Sequence, residues 1–107
     1  MKRGEVWGVN FEPAVGGEIR KKRPAVIVSN DSANRFLNRV QVVPMSSSID
    51  RLYPSEAYAT VKGRKSKAMA DQIATVSKQR LLDKLGRVSD EDLKNIESAL
   101  RTQLDLF

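Results

Sequence analysis

The chain is 107 residues and 12.0 kDa, the size of one domain, and its 40% of hydrophobic residues suffice for a single core. It has no cysteine and no histidine, which excludes disulfide scaffolds, thiolate nucleophiles, cysteine-ligated zinc and the usual imidazole-based catalysis. The net charge of +6 is unevenly placed: residues 89–107 carry −3 and the first 88 carry +9. A basic body with an acidic final segment suits an anionic partner such as nucleic acid; a soluble basic domain with no such partner would look the same.

Residues 5–11 read as a first strand, with Val6, Trp7, Val9 and Phe11 set around Gly8 and Asn10. The loop over 12–22 holds Pro13, Gly16 and Gly17 and runs into Arg20-Lys21-Lys22-Arg23. Loops of this length in compact domains tend to be functional. Residues 24–29 form a second strand whose unbroken Ala-Val-Ile-Val predicts burial on both faces. Asn30, Asp31 and Ser32 turn the chain into a helical turn reaching Phe36. A third strand covers 40–45 and stops at Ser46-Ser47-Ser48. After a loop over 49–54, residues 56–61 read as a fourth strand, and Gly63 turns a Lys/Arg-rich hairpin over 62–67. Residues 68–76 read as one or two strands interrupted near Asp71 and Gln72, residues 77–82 as a helical turn, and residues 85–88 as a last short strand.

Ser89 with Asp92 three residues on approximates a capping box, and Leu93, Ile96, Ala99, Leu100 and Leu104 share one face of a final helix. The spacing of strands and turns predicts a small barrel-like sheet with that helix packed on it. One domain spans 1–107. No membrane segment is expected: Lys2 and Arg3 are followed by Gly4 and Glu5, and the longest apolar run is 25–28. The expected location is the cytoplasm.

Three features outside the core point to chemistry. Arg23 directly precedes Pro24, which biases its backbone towards an extended form and lets it aim a forked donor at a phosphate. The serine run places hydroxyls at a strand end, where ordinary turn chemistry is the alternative. Glu18 is an acid among basic neighbours, with a solvated loop charge as its alternative.

Taken in order, these residues resemble the MazF/PemK endoribonuclease toxins of bacterial toxin–antitoxin pairs, which share a fold with the CcdB gyrase poisons. The resemblance runs through Gly4-Glu5-Val6-Trp7, Phe11-Glu12-Pro13 and Gly17-Glu18 to Arg23-Pro24-Ala25-Val26-Ile27-Val28-Ser29. It resumes at Val42-Val43-Pro44-Met45-Ser46, Tyr53-Pro54 and Ala70-Asp71-Gln72-Ile73. It implies a mainly β fold with appended helices (α+β), a small SH3-like or CcdB-like β-barrel with a C-terminal helix, acting as a homodimer. It implies sequence-specific, metal-independent cleavage of single-stranded RNA by 2′-hydroxyl attack, with no cofactor. The family's catalytic arginine falls on Arg23 and its catalytic threonine on Ser46, which keeps the hydroxyl and loses the methyl. An acid that some relatives use falls on Glu18; carry-over to Asp71 and Gln72 is weaker.

The basic groove expected from Arg20, Lys21, Lys22, Arg23 and the 62–67 hairpin, with its Lys62, Arg64, Lys65 and Lys67, and with Ser47 beside Ser46, would bind RNA and also the acidic C-terminal tail of a cognate antitoxin. Phe36 and Tyr53, both expected in loops, are candidates to stack on bases; the other aromatics suit the core or a dimer contact. Two further readings stay open: a CcdB-like topoisomerase poison without nuclease activity, and a non-catalytic nucleic-acid-binding barrel.

Overall fold

β-branched and aromatic residues crowd the first half of the chain and form strands there; the computed structural model describes all 107 residues. Seven strands result: β1 (Glu5–Asn10), β2 (Lys22–Ile27), β3 (Arg39–Ser46), β4 (Glu56–Val61), β5 (Arg64–Met69), β6 (Ala74–Ser77) and β7 (Leu81–Arg87). Two helices, α1 (Asp31–Phe36) and α2 (Asp90–Leu104), and 3-10 turns at Ala70–Gln72 and Lys78–Arg80 complete the chain.

All pairings are antiparallel, in the order β4-β5-β3-β2-β1-β7. Strand β3 serves two partners on one edge, β6 from Arg39 to Val42 and β5 at Met45 and Ser46. The sheet therefore curls into a half-open barrel. Its end strands β4 and β7 share no ladder but approach at Gly86, where an added Cβ would stand 3.0 Å from Val61 Cγ1. Only glycine lets the two edges come so near.

The curled sheet buries both faces. Val26, with Val6, Val43 and Met45, packs under Leu93, Ile96 and Ala99 of α2. Ala25 and Ile27 join Val9, Phe11, Val40, Val42 and Val76 on the other side. The unbroken apolar run of β2 has this cause: its successive residues enter different cores. Ser89 caps α2 by accepting from Asp92 N–H at 3.0 Å. The box is not closed, because Asp92 Oδ2 accepts instead from Thr60 N–H of β4 at 2.9 Å. Leu104 lies beyond the sheet and is exposed, unlike the rest of its predicted face.

The Gly4-Glu5-Val6-Trp7 segment is a structural staple. Glu5 Oε1 accepts from Lys2 N–H at 2.9 Å and from Trp7 Nε1 at 3.1 Å, while Oε2 meets Lys84 Nζ at 3.0 Å. Burial alone would raise the Glu5 pKa; the Lys2 amide, Lys84 and Trp7 outweigh it and lower it to about 2.

Three expected boundaries move. Strand β2 spans Lys22–Ile27 rather than 24–29, because β1 pairs with it as far as Asn10 opposite Lys22, and Arg23 therefore lies within the strand. The last strand begins at Leu81 rather than 85, because polar Asp83 and Lys84 lie on the open edge of the sheet. The basic hairpin turns on Lys62 and Gly63 alone, and Arg64 already belongs to β5.

Candidate nucleic-acid interface

The register of β2 against β3 sets Ala25 opposite Pro44, Val26 opposite Val43 and Ile27 opposite Val42. That ladder ends at Ala25 and Pro44; two residues further out Arg23 lies opposite Val9 of β1, and Arg23 and Ser46 stand at the same end of β2 and β3. Beyond β3, Ser46 pairs with Lys67 of β5, which in turn pairs with Tyr58 of β4. Directly opposed residues share a face, so Ser46, Lys67 and Tyr58 form one row across three strands. Arg23 Nε donates to Arg20 C=O at 3.1 Å, and its two terminal amino groups make no bond within the chain. Ser46 Oγ accepts from Ser48 N–H at 3.1 Å, which leaves its own proton free to donate.

This end of the sheet opens into a cleft of about 750 Å³. Six cations line it, Lys21, Lys22, Arg23, Lys62, Arg64 and Lys65, together with Ser46 and Ser47, and no acid lines it. Such a one-signed concavity concentrates anions. Local backbone geometry delivers the cations. Lys62 (φ 50°) and Gly63 (φ 78°) form a two-residue hairpin of the type I′ form, closed by the Val61–Arg64 pair. Lys21 also adopts a left-handed conformation (φ 67°) at the base of the long loop.

That loop is held by distant residues. Phe11 N–H donates to Lys21 C=O at 2.9 Å, and Lys21 N–H to Glu12 Oε1 at 2.7 Å. Gln72 brackets it from the 3-10 turn, accepting from Ile19 N–H at 3.1 Å and donating to Gly17 C=O at 3.3 Å. Arg80 Nη1 donates to the carbonyls of Asn10 and Glu12. Gln72 of the Asp71-Gln72 motif thus has a physical task in loop anchoring.

Not every expected residue converges. Glu18 accepts from Val15 N–H at 2.7 Å and lines a neighbouring hollow with Ile19, Gln72 and Arg80 that shares no residue with the basic cleft. Phe36 ends helix α1, at the end of the helical turn expected there, and lines a third concavity with Trp7 and Lys78, apart from the cleft. The Arg20 side chain turns to Gly16 C=O at 3.3 Å, and the residue contributes its carbonyl to Arg23. Tyr53 is exposed and sits 5.8 Å from Lys67 Nζ, ring centre to nitrogen. Sequence reasoning set Lys67 only among the groove cations and Tyr58 among core or dimer aromatics; alternation along β5, which sets Lys65 and Lys67 on one face, was the signal for more. No three carboxylates cluster into a metal site, and no helix is long and apolar enough to cross a membrane.

Residues 2–104 match the model of the PemK-like, MazF-like toxin of type II toxin–antitoxin systems. The chain belongs to this family. Among PemK/MazF relatives, it is 42% identical to "Endoribonuclease MazF9" of Mycobacterium tuberculosis, over all of this chain and 98% of the relative. It is 32% identical to "Endoribonuclease EndoA" of Bacillus subtilis, over all of this chain and 97% of that one. A solved mycobacterial endoribonuclease in complex with its cognate antitoxin superposes with a TM-score of 0.84 at 28% identity, covering 100% of this chain and 97% of the other. The fold is also that of MazF from Deinococcus radiodurans, at a TM-score of 0.88, 23% identity and coverage of 99% and 97%. Membership in this toxin family and the half-barrel of its solved members agree with the architecture expected from the sequence; the topoisomerase-poison and non-catalytic readings are not favoured.

Proposed function

We propose that this chain is the endoribonuclease toxin of a type II toxin–antitoxin pair, and that it cuts single-stranded RNA at the Arg23–Ser46 end of the sheet. The observation that carries the reading is that Arg23 of β2 and Ser46 of β3 line one cleft, which holds six cations and no acid.

RNA brings its own nucleophile, so the protein needs neither thiol nor imidazole. The 2′-hydroxyl attacks the adjacent phosphorus, the bond to the 5′-oxygen breaks, and the products are a 2′,3′-cyclic phosphate and a 5′-hydroxyl. Charge on the phosphorane-like transition state is met by the unpartnered amino groups of Arg23, a donor that stays charged throughout. Ser46 donates a hydrogen bond to the scissile phosphate. Lys21, Lys22, Lys62, Arg64 and Lys65 hold flanking phosphates, with Arg20 and Ser47 beside them. In this scheme RNA binding draws the loop of Glu18 from its own hollow to the cleft, Glu18 takes the 2′-hydroxyl proton, and water gives a proton to the departing 5′-oxygen.

The cation-lined cleft would also accept carboxylates. The cognate antitoxin is therefore assigned an acidic C-terminal tail that competes with RNA there. We further assign a homodimer, which lengthens the RNA track beyond one small subunit, and a cytoplasmic location, where the substrate is. The test is a labelled single-stranded RNA incubated with purified protein and excess chelator. Discrete fragments are expected; intact RNA with a folded protein overturns the assignment.

A further inference from the structure

We infer that Lys67 is a positioning residue for RNA recognition: paired with Glu56, it clamps the loop between β3 and β4 so that the Tyr53 ring stands beside the Ser46 row as a stacking platform for one base. This rests on the site assigned above. It concerns which nucleotide is accepted, not how the bond is cut.

Lys67 differs from the other cations of its hairpin. Its side chain is 12% exposed and that of Glu56 9%, and their charged atoms are 3.1 Å apart. A pair withdrawn from water is costly unless its remaining bonding capacity is met. Here that capacity is spent on the loop. Lys67 Nζ donates to Arg51 C=O at 3.1 Å. Glu56 Oε1 accepts from Tyr53 N–H at 2.9 Å, and Glu56 N–H donates to Tyr53 C=O at 2.9 Å. Tyr58 hydroxyl fastens the same loop by donating to Ile49 C=O at 2.9 Å.

The loop leaves the sheet at Ser46 and returns across Lys67, which is Ser46's own partner in the ladder. Tyr53 is thus held near the proposed scissile phosphate yet is 53% exposed. Its ring has Lys67 Nζ at 5.8 Å and the Arg51 guanidinium at 5.9 Å, and its hydroxyl accepts from Arg51 Nη1 at 3.2 Å. An exposed aromatic ring with a fixed backbone and flanking cations is what a single-stranded base stacks on, next to the phosphates that those cations attract.

The test compares Lys67→Met/Glu56→Gln, which removes both charges together, with Tyr53→Ala, the three substitutions combined, and Lys67→Arg. Steady-state cleavage of one RNA and native-state trypsin cleavage after Arg51 are measured, with circular dichroism for folding. The paired variant and Tyr53→Ala should each raise KM about tenfold, the scale of one lost stacking contact, with kcat within about threefold. The combined variant should match Tyr53→Ala alone, and Lys67→Arg should recover most of the parental KM. Trypsin should cut after Arg51 about tenfold faster in the paired variant, because the carbonyl loses its charged donor. Unchanged trypsin cleavage overturns the clamp. Additive KM effects, or a fall in kcat with KM unchanged, overturn the positioning role. Parental cleavage by Arg23→Ala would remove the active site itself, and the trypsin rate would still decide the clamp.

Discussion

Replacing Arg23 by alanine separates two effects of different size. In the folded chain the side chain makes one internal hydrogen bond, Nε to Arg20 C=O at 3.1 Å, and fills no core. Its loss should cost about 1 kcal/mol of stability, a fall in Tm of roughly 4–8 °C for a domain of this size. On RNA, the same truncation removes the terminal donors proposed to face the developing phosphorane charge. Removing a donor of that kind costs on the order of a hundredfold to a thousandfold in rate, or about 3–4 kcal/mol. The chemical deficit therefore exceeds the structural one and appears at temperatures where the variant is fully folded. Arg23→Lys should recover only part of the rate, because an ammonium cannot reproduce the fork. Ser46→Ala should cost less than Arg23→Ala, since a neutral hydroxyl makes the weaker bond. The assay is the single-turnover rate on one RNA at 25 °C, with a thermal melt by circular dichroism as control. A folded Arg23→Ala protein that cleaves near the parental rate would refute the reasoning.

Glu18→Gln should lower the single-turnover rate by about a hundredfold and leave the melt unchanged; a full-rate variant removes Glu18 as the base. Glu5 ties stability to acid: its pKa falls from the ordinary 4.5 to about 2 on folding, so its contribution is complete above pH 4.5 and is lost as pH drops from there towards 2. Glu5→Gln should flatten that acid limb by about 2 kcal/mol in urea titrations compared at pH 6 and pH 3, and identical slopes would contradict the staple. Lys62→Asn should relieve a left-handed lysine and raise Tm by about 2–4 °C while weakening RNA binding, because the turn gains a favoured residue and the cleft loses a cation; a gain in both would contradict the placement of Lys62 in the RNA track.

Much of the fold is legible because its signals are local. The run Ala25-Val26-Ile27 can only be a strand buried on both sides, and the spacing of Leu93, Ile96 and Ala99 can only be one helical face. β5 and β7 are harder, because β7 is an open edge and β5 meets β3 only at Lys67 and Ala68, so their other positions tolerate charge and the alternation is masked by Lys, Arg and Asp. Arg23 stands out by its position before Pro24, but that it shares a cleft with Ser46 depends on how β2 and β3 are brought together, which no local pattern fixes. The clamp on the β3–β4 loop depends on Lys67 reaching Arg51, sixteen residues away, and Glu56, eleven away. In the sequence Lys67 is only one more cation in a basic stretch. Glu18 and Phe36 show the converse: chain proximity to the site residues did not carry their side chains into the cleft.

The most direct test of the central claim uses two RNA oligonucleotides that differ by one oxygen. After the cleavage position is mapped on a longer RNA, one oligonucleotide keeps the 2′-hydroxyl on the 5′ side of the scissile phosphate and the other has hydrogen there. Both are incubated with the protein and excess chelator, and the ends are identified by mass spectrometry. The hydroxylated RNA should give a 2′,3′-cyclic phosphate and a 5′-hydroxyl, and the deoxy-substituted RNA should remain intact at that bond. Cleavage of the deoxy-substituted bond at a similar rate, or a 5′-phosphate on the product, would contradict attack by the substrate's own hydroxyl at the Arg23–Ser46 site.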